Sequence, residues 1–194
     1  MFGAIKYNLS NLVNFSGRDA RSTFWYYVLS VVILRFLAGI AISLPMTVRA
    51  TAVAMEAAQN RADPATVNAR MLATLADTIP TVIWLGAALA AVTALLLVAS
   101  LARRLHDIGL SGWLVLVPLG LQALIFAQIP ATLARVKDAL AHFDGRTAPN
   151  PGAMMQGQGT AVLLGWLPAL FLIVVGLINS NNGPNRFGDA PVRF

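Results

Sequence analysis

Four apolar stretches, residues 24–44, 81–101, 113–133 and 161–178, are each long enough to cross a bilayer as a helix. A hydrocarbon core of about 30 Å takes about 20 helical residues, and the shortest stretch, about 18 residues, still reaches across. Only 11% of the chain is charged and 57% is apolar, whereas roughly a quarter of a soluble domain is charged. The expected fold class is therefore all-α: a polytopic membrane protein, a bundle of four transmembrane helices in a single domain. Phe24, Trp25, Tyr26 and Tyr27 form an aromatic belt at one end of the first stretch, with Trp113 and Trp166 near other boundaries. A cleaved signal peptide fits the first stretch poorly. It begins too late, is too long, opens on bulky aromatics and carries Arg35 near its middle.

Lys and Arg in the loops orient the bundle. One side carries seven (Lys6, Arg18, Arg21, Arg103, Arg104, Arg186, Arg193) and the other six (Arg49, Arg61, Arg70, Arg135, Lys137, Arg146). The seven lie on less chain and closer to span ends, and the opposite loops hold five of the eight acids. Residues 1–23, 102–112 and 179–194 are thus expected in the cytoplasm, and 45–80 and 134–160 in the periplasm. The formal charge of +6 is scattered near segment ends, which points to anionic lipid headgroups rather than nucleic acid.

The outward loops are helix-compatible. Residues 46–60 and 64–77 predict a helical hairpin extending the first two spans, with Asp63 as N-cap, Pro64 at the first helical position, and kinks at Pro45 and Pro80. Residues 131–143 predict a short amphipathic helix, and the Pro- and Gly-rich residues 146–159 a linker. At the N-terminus, Phe2, Ile5, Leu9 and Leu12 share one face of a helix suited to the membrane interface, with Lys6, Asn8 and Asn11 elsewhere.

The polar residues gather in three segments that this topology brings to one face. In the first, Ser16 and Asp19 predict a weak capping box, after which Arg18, Arg21 and Trp25 would share a helix face. In the second, Gly109 predicts a left-handed helix end with Leu110 as its apolar contact, and Ser111 an N-cap for the helix opening at Trp113. So short a connection makes the flanking spans antiparallel neighbours. It leaves Arg103, Arg104, His106 and Asp107 crowded into one and a half turns. Arg103 and Asp107 pair weakly in that order along a helix, so a distant partner such as Arg18 or Arg21 is expected for Asp107. The third segment, residues 179–188, is turn chemistry, with Asn185 and Arg186 polar and Phe187 returning to the interface or bundle. It has too few carboxylates for a calcium loop.

Phe-Ser-Gly-Arg-x-x-Arg-x-x-Phe-Trp at 15–25, Arg-Arg-Leu-His-Asp-x-Gly-x-Ser-Gly-Trp at 103–113 and Asn-Arg-Phe-Gly at 185–188 resemble the family catalogued as domain of unknown function 805. The resemblance covers essentially the whole chain, with the outward insert after the first span and the linker before the fourth expanded. It implies a small bacterial inner-membrane protein and brings no activity, substrate or cofactor.

Chemistry is sparse. With no cysteine there is no disulfide, thiolate metal site or thiol catalysis. His106 and His142 are the only histidines, and no phosphate loop or nucleophile elbow is present. No catalytic, cofactor or metal site is expected. Arg35, the one charge well inside a span, costs about 2.5–3.5 kcal/mol on insertion scales and must face protein or water, or snorkel, which is awkward near mid-span; packing against helix carbonyls is its expected state. The expected role is a non-enzymatic membrane protein whose cluster of Arg18, Arg21, Trp25, Arg103, Arg104, His106, Asp107, Trp113, Asn185 and Arg186 contacts anionic lipid or a partner protein, with self-association also open. The alternatives are a small transporter or channel subunit using Arg35, and a membrane enzyme using His106 and Asp107.

Overall fold

The computed structural model describes residues 1–141, 158–181, 183–191 and 194. The regular elements among the described residues are all helical, with no strand beyond one isolated bridge between Asn185 and Gly188. A short helix α1 (Phe2–Ser10) precedes two long ones, α2 (Arg21–Asn60) and α3 (Pro64–Asp107). A 3₁₀ turn (Gly112–Val115) leads into α4 (Leu116–Ala127), α5 (Ile129–Ala141) and α6 (Gln158–Leu177).

At 1.5 Å per residue, α2 and α3 are each about 60 Å long or longer, about twice a hydrocarbon core. They form the expected hairpin. Its tip turns at Arg61, the only described non-glycine residue with positive φ (46°), and restarts where Asp63 accepts from the Ala65 and Thr66 amides with Pro64 in the first turn. Arg49–Asp77 at 3.2 Å and Arg70–Glu56 at 2.6 Å bridge its arms in the open. Both helices run on through Pro45 and Pro80 without a break.

The third apolar stretch, expected over 113–133, is not one unbroken helix. It opens as the 3₁₀ turn and is interrupted at Gln128, between α4 and α5. Pro130 explains the interruption: it donates no amide hydrogen, and its ring crowds the carbonyl four residues back. Helix α5 covers the expected amphipathic segment as far as Ala141. The end of that segment, His142, and most of the linker lie outside the described residues.

Among the described residues three helical runs, Arg21–Asn60, Pro64–Asp107 and Gly112–Ala141, are long and apolar enough to cross a membrane, with Leu164–Leu177 a shorter apolar run. Helix α2 packs along α3, α4 along α6, and α1 against the start of α2. The apolar core lies at one end, where Phe24, Val28, Leu101, Ala102, Leu105, Val115 and Val175 meet. Beyond it, large apolar side chains face outward: Leu34, Phe36 and Leu95 are all 60% exposed or more. The two largest fully buried side chains are instead Arg103 and Arg104. A water-soluble protein distributes these residues the other way round.

Candidate functional site

Chain geometry at the core end converges on the last turn of α3. The helix closes as a Schellman motif: the Leu110 amide donates to the Leu105 carbonyl at 2.9 Å and the Gly109 amide to His106 at 3.1 Å, with Gly109 at φ +81°. Ser111 then accepts from the Trp113 amide at 3.4 Å, as expected of an N-cap. This tight reversal fixes Arg103, Arg104 and Asp107 facing inward and His106 to the side.

The first segment does not form the expected capping box. Helix α2 starts at Arg21 with Ala20 as a cap lacking any side-chain bond. Gly17 turns at φ +89°, and the Asp19 amide donates to the Arg103 carbonyl at 3.1 Å. That bond lays Asp19 across α3. Its carboxylate accepts from Arg103 Nε at 2.9 Å and from the Ser100 hydroxyl at 2.8 Å. Arg18, held outside the helix, reaches Asp107 Oδ1 through Nε at 3.2 Å and Nη2 at 3.0 Å. The distant partner expected for Asp107 is therefore Arg18, and Arg104 binds the other carboxylate oxygen.

Each buried arginine ties down a different piece of chain. Arg103 donates to the carbonyls of Asn11 (2.9 Å) and Asn14 and to Asn8 Oδ1 at 2.6 Å, which docks α1 and the turn after it. Arg18 donates to the carbonyls of Asn181 (2.9 Å), Gly183 (2.7 Å) and Gly188 (3.3 Å), organising the tail. Arg104 donates to Ser180 Oγ at 3.1 Å, to Gly176 at 3.4 Å and to the Ile178 carbonyl. These carbonyls at the C-terminal end of α6 lack partners within their own helix, and the cation meets them at the negative pole of the helix dipole. The side chains of Arg18, Arg104 and Asp107 are 0% exposed and those of Arg103 and Asp19 no more than 1%. Among the buried side-chain nitrogens and oxygens of the described residues, Arg104 Nε alone lacks a partner. Burial pushes the Asp19 carboxyl above its usual value, against the opposing pull of Arg103 and Ser100.

The tail seals the site. The Asn181 amide donates to the Asp107 carbonyl at 3.1 Å, and Asn185 Nδ2 to the His106 carbonyl at 2.9 Å. Phe187 stacks on His106 with ring centroids 4.0 Å apart and planes 9° apart. Arg186 lies over the Phe187 ring at 4.6 Å and donates to the Gly109 carbonyl at 3.2 Å. Phe187 thus returns to the bundle.

Two expected members stand apart. Trp113 is 78% exposed, and Arg21 is exposed, touching only the rim at Asn179 Oδ1 (3.3 Å). Trp25 lies beside the core, its Nε1 donating to the Gly176 carbonyl at 3.0 Å. Gly176 is required there, because a Cβ would come within 2.7 Å of the indole. His106 and Asp107 address different partners. The imidazole Nδ1 meets the Gly17 carbonyl at 3.2 Å, while Arg18 and Arg104 take the carboxylate. Among the described residues no three His, Asp or Glu side chains gather as metal ligands.

His106 lies beyond the apolar part of α3, which ends at Leu101. Burial lowers its pKa, the Gly17 carbonyl opposes the shift, and Arg186 adds to the lowering. A base whose folded pKa lies below its unfolded value of about 6.5 contributes stability that is complete above that value and lost as pH falls through it towards the folded one. The midpoint of thermal unfolding should therefore hold steady from pH 8 to 7 and fall below about pH 6.5. His106→Asn should flatten that part of the profile. An identical slope in the variant would assign the acid sensitivity elsewhere.

No curated protein and no solved structure matches the chain. The family described as Protein of unknown function (DUF805) does match, over residues 12–189, a range that takes in all three convergent segments, and the chain belongs to that family.

Proposed function

We propose that the chain is a non-enzymatic multi-pass protein of a bacterial inner membrane, with four crossings and both termini cytoplasmic, whose cytoplasmic face holds anionic lipid headgroups. Support for an even number of crossings comes from the termini. Phe194 lies against Gly3 and Tyr7, with the Tyr7 and Phe194 rings 5.8 Å apart. If α2, α3 and α4 cross, α6 must cross as well to return the tail to α1. The charge bias of the loops favours placing that end inside.

One observation carries the lipid reading. With Arg18, Arg103 and Arg104 engaged internally, Lys6, Arg21 and Arg186 remain exposed around the sealed cluster. Phe2, Val13 and Trp113, exposed by 86%, 88% and 78%, lie on the same end. Helix α1 turns Ala4 and Asn8 inward and Phe2 and Leu9 outward, the reverse of a soluble amphipathic helix and the arrangement of an interfacial one. Exposed cations beside outward aromatics fit a headgroup layer, where each cation contributes about 1 kcal/mol against anionic lipid.

Nanodiscs containing phosphatidylglycerol should raise the unfolding midpoint by several degrees over phosphatidylcholine alone. The gain should disappear in the Lys6→Glu, Arg21→Glu, Arg186→Glu triple variant and shrink in high salt. Equal midpoints of the native chain in both lipids would rule the reading out. A gain that persists in the triple variant would move it to other residues. Reporter fusions at both termini test the topology separately.

A further inference from the structure

Between α2, α3, α4 and α6 lies a cleft of about 510 Å³, away from the sealed cluster. Its inner end is apolar, lined by Trp25, Val28 and Val115. Its other end holds Arg35, Thr93 and Gln122. Arg35 is 11 residues along α2 from Phe24, and Gln122 is 10 residues from the start of the 3₁₀ turn. At the helical rise both are about 15 Å into the bundle. Three helices thus place a polar group at one depth, facing one cleft.

Arg35 is short of partners. Among the described residues its one polar contact is Nη1 to Thr93 Oγ1 at 3.4 Å, leaving most of a five-donor guanidinium unmatched. The stretches 24–44, 81–101, 113–133 and 161–178 contain no Asp or Glu, so a second copy of the chain cannot bring a carboxylate to this depth. A partner helix, about 10 Å across, suits a flat face better than a concave one. The cleft volume is within the range of small-molecule sites, about 300–1,000 Å³.

We propose that this cleft binds a single-chain amphiphile with a carboxylate head, the carboxylate meeting Arg35 and Gln122 and the acyl chain lying towards Trp25 and Val28. A carboxylate supplies the bidentate acceptor that a guanidinium fits. The apolar end excludes water from the tail. Gly165 in α6 lines the outer part of the cleft, and a Cβ there would meet no atom within 4 Å, so this wall can carry a side chain without moving the backbone.

The test is binding of radiolabelled dodecanoate to the full chain in nonionic micelles at pH 8, with unlabelled dodecanoate and dodecanol as competitors. Dodecanoate should saturate at one per chain and outcompete dodecanol at least tenfold. Arg35→Gln should weaken dodecanoate at least tenfold and leave dodecanol unchanged, with Arg35→Lys in between. Gly165→Phe, which fills the cleft, should abolish both and serves should Arg35→Gln fail to fold. The Lys6, Arg21 and Arg186 reversals, which address the headgroup surface, should not alter dodecanoate binding. Equal competition by the two amphiphiles, or native dodecanoate affinity in either Arg35→Gln or Gly165→Phe, would overturn the proposal.

Discussion

Asp107→Asn is expected to destabilise the bundle by about 3–5 kcal/mol, the range for removing one partner of a buried ion pair. The substitution keeps the shape of the side chain and removes the charge that two buried guanidiniums share. Arg18 and Arg104, with side chains 0% exposed, approach opposite oxygens of this one carboxylate. The amide offers one acceptor oxygen, and its NH₂ would point a donor at whichever guanidinium it faced. The cluster already holds three cations, Arg18, Arg103 and Arg104, against two carboxylates, Asp19 and Asp107. Removing one carboxylate leaves three against one in a region closed to water. Loss should appear as a lower unfolding midpoint in micelles and lower abundance in the membrane. Asp77→Asn is the matched control. It also breaks an arginine pair, but one with side chains 62% and 77% exposed, and such a pair contributes about 0–1 kcal/mol. Similar effects from the two substitutions would show that burial of the cluster does not determine its contribution.

The contrast between Asp107 and Asp19 shows which parts of the site could be read from residues alone. Asp107 follows Arg103 and Arg104 in a helix whose periodicity is plain, and local pairing there is too weak to explain its presence. The need for a distant partner follows, and Arg18 supplies it. Asp19 sits three residues after Ser16, a spacing that also describes a cap, so local pattern alone favoured the wrong reading. What decides its role is the turn at Gly17, which delays the helix to Arg21 and lays Asp19 over α3. That depends on packing between segments 84 residues apart, and spacing carries no such information. Asn8, Asn11, Asn14 and Ser180 were missed as cluster members for a related reason. Two of the contacts, at Asn11 and Asn14, use backbone carbonyls, which every residue has. Asn8 alone left a trace: it shares a helix face with Ala4, off the face that carries Phe2, Ile5 and Leu9. The long helices were legible because hydrophobic runs determine them directly. The interruption at Gln128 depended on the geometric effect of a single proline.

The largest effect beyond Asp107 is expected at Arg103, where even lysine should be a poor replacement, at about 2–4 kcal/mol. Arg103 spreads its donors over a wide arc: Nε to Asp19, Nη1 to the carbonyls of Asn11 and Asn14, and Nη2 to Asn8 Oδ1. A lysine ammonium places all its donors on one atom and cannot span Asp19 and Asn8 together. At least one bond to a charged group is lost, worth about 1.5–3 kcal/mol, and the polar group left behind is buried. Which group loses its partner decides the phenotype. If the ammonium stays with Asp19, α1 and the turn after it come free, and proteolysis near residues 11–14 should speed up before the bundle melts. If it follows Asn8 instead, Asp19 is left buried without its cation, which burial already disfavours in the charged form. Global stability should then fall, with α1 still docked. Pairing Arg103→Met with Asp19→Asn distinguishes partnership from mere proximity. The double variant should be more stable than the sum of the two single losses predicts, because neither leaves the other's charge buried alone. Strict additivity would mean that the 2.9 Å contact between them carries no coupling, and that Arg103 serves α1 alone.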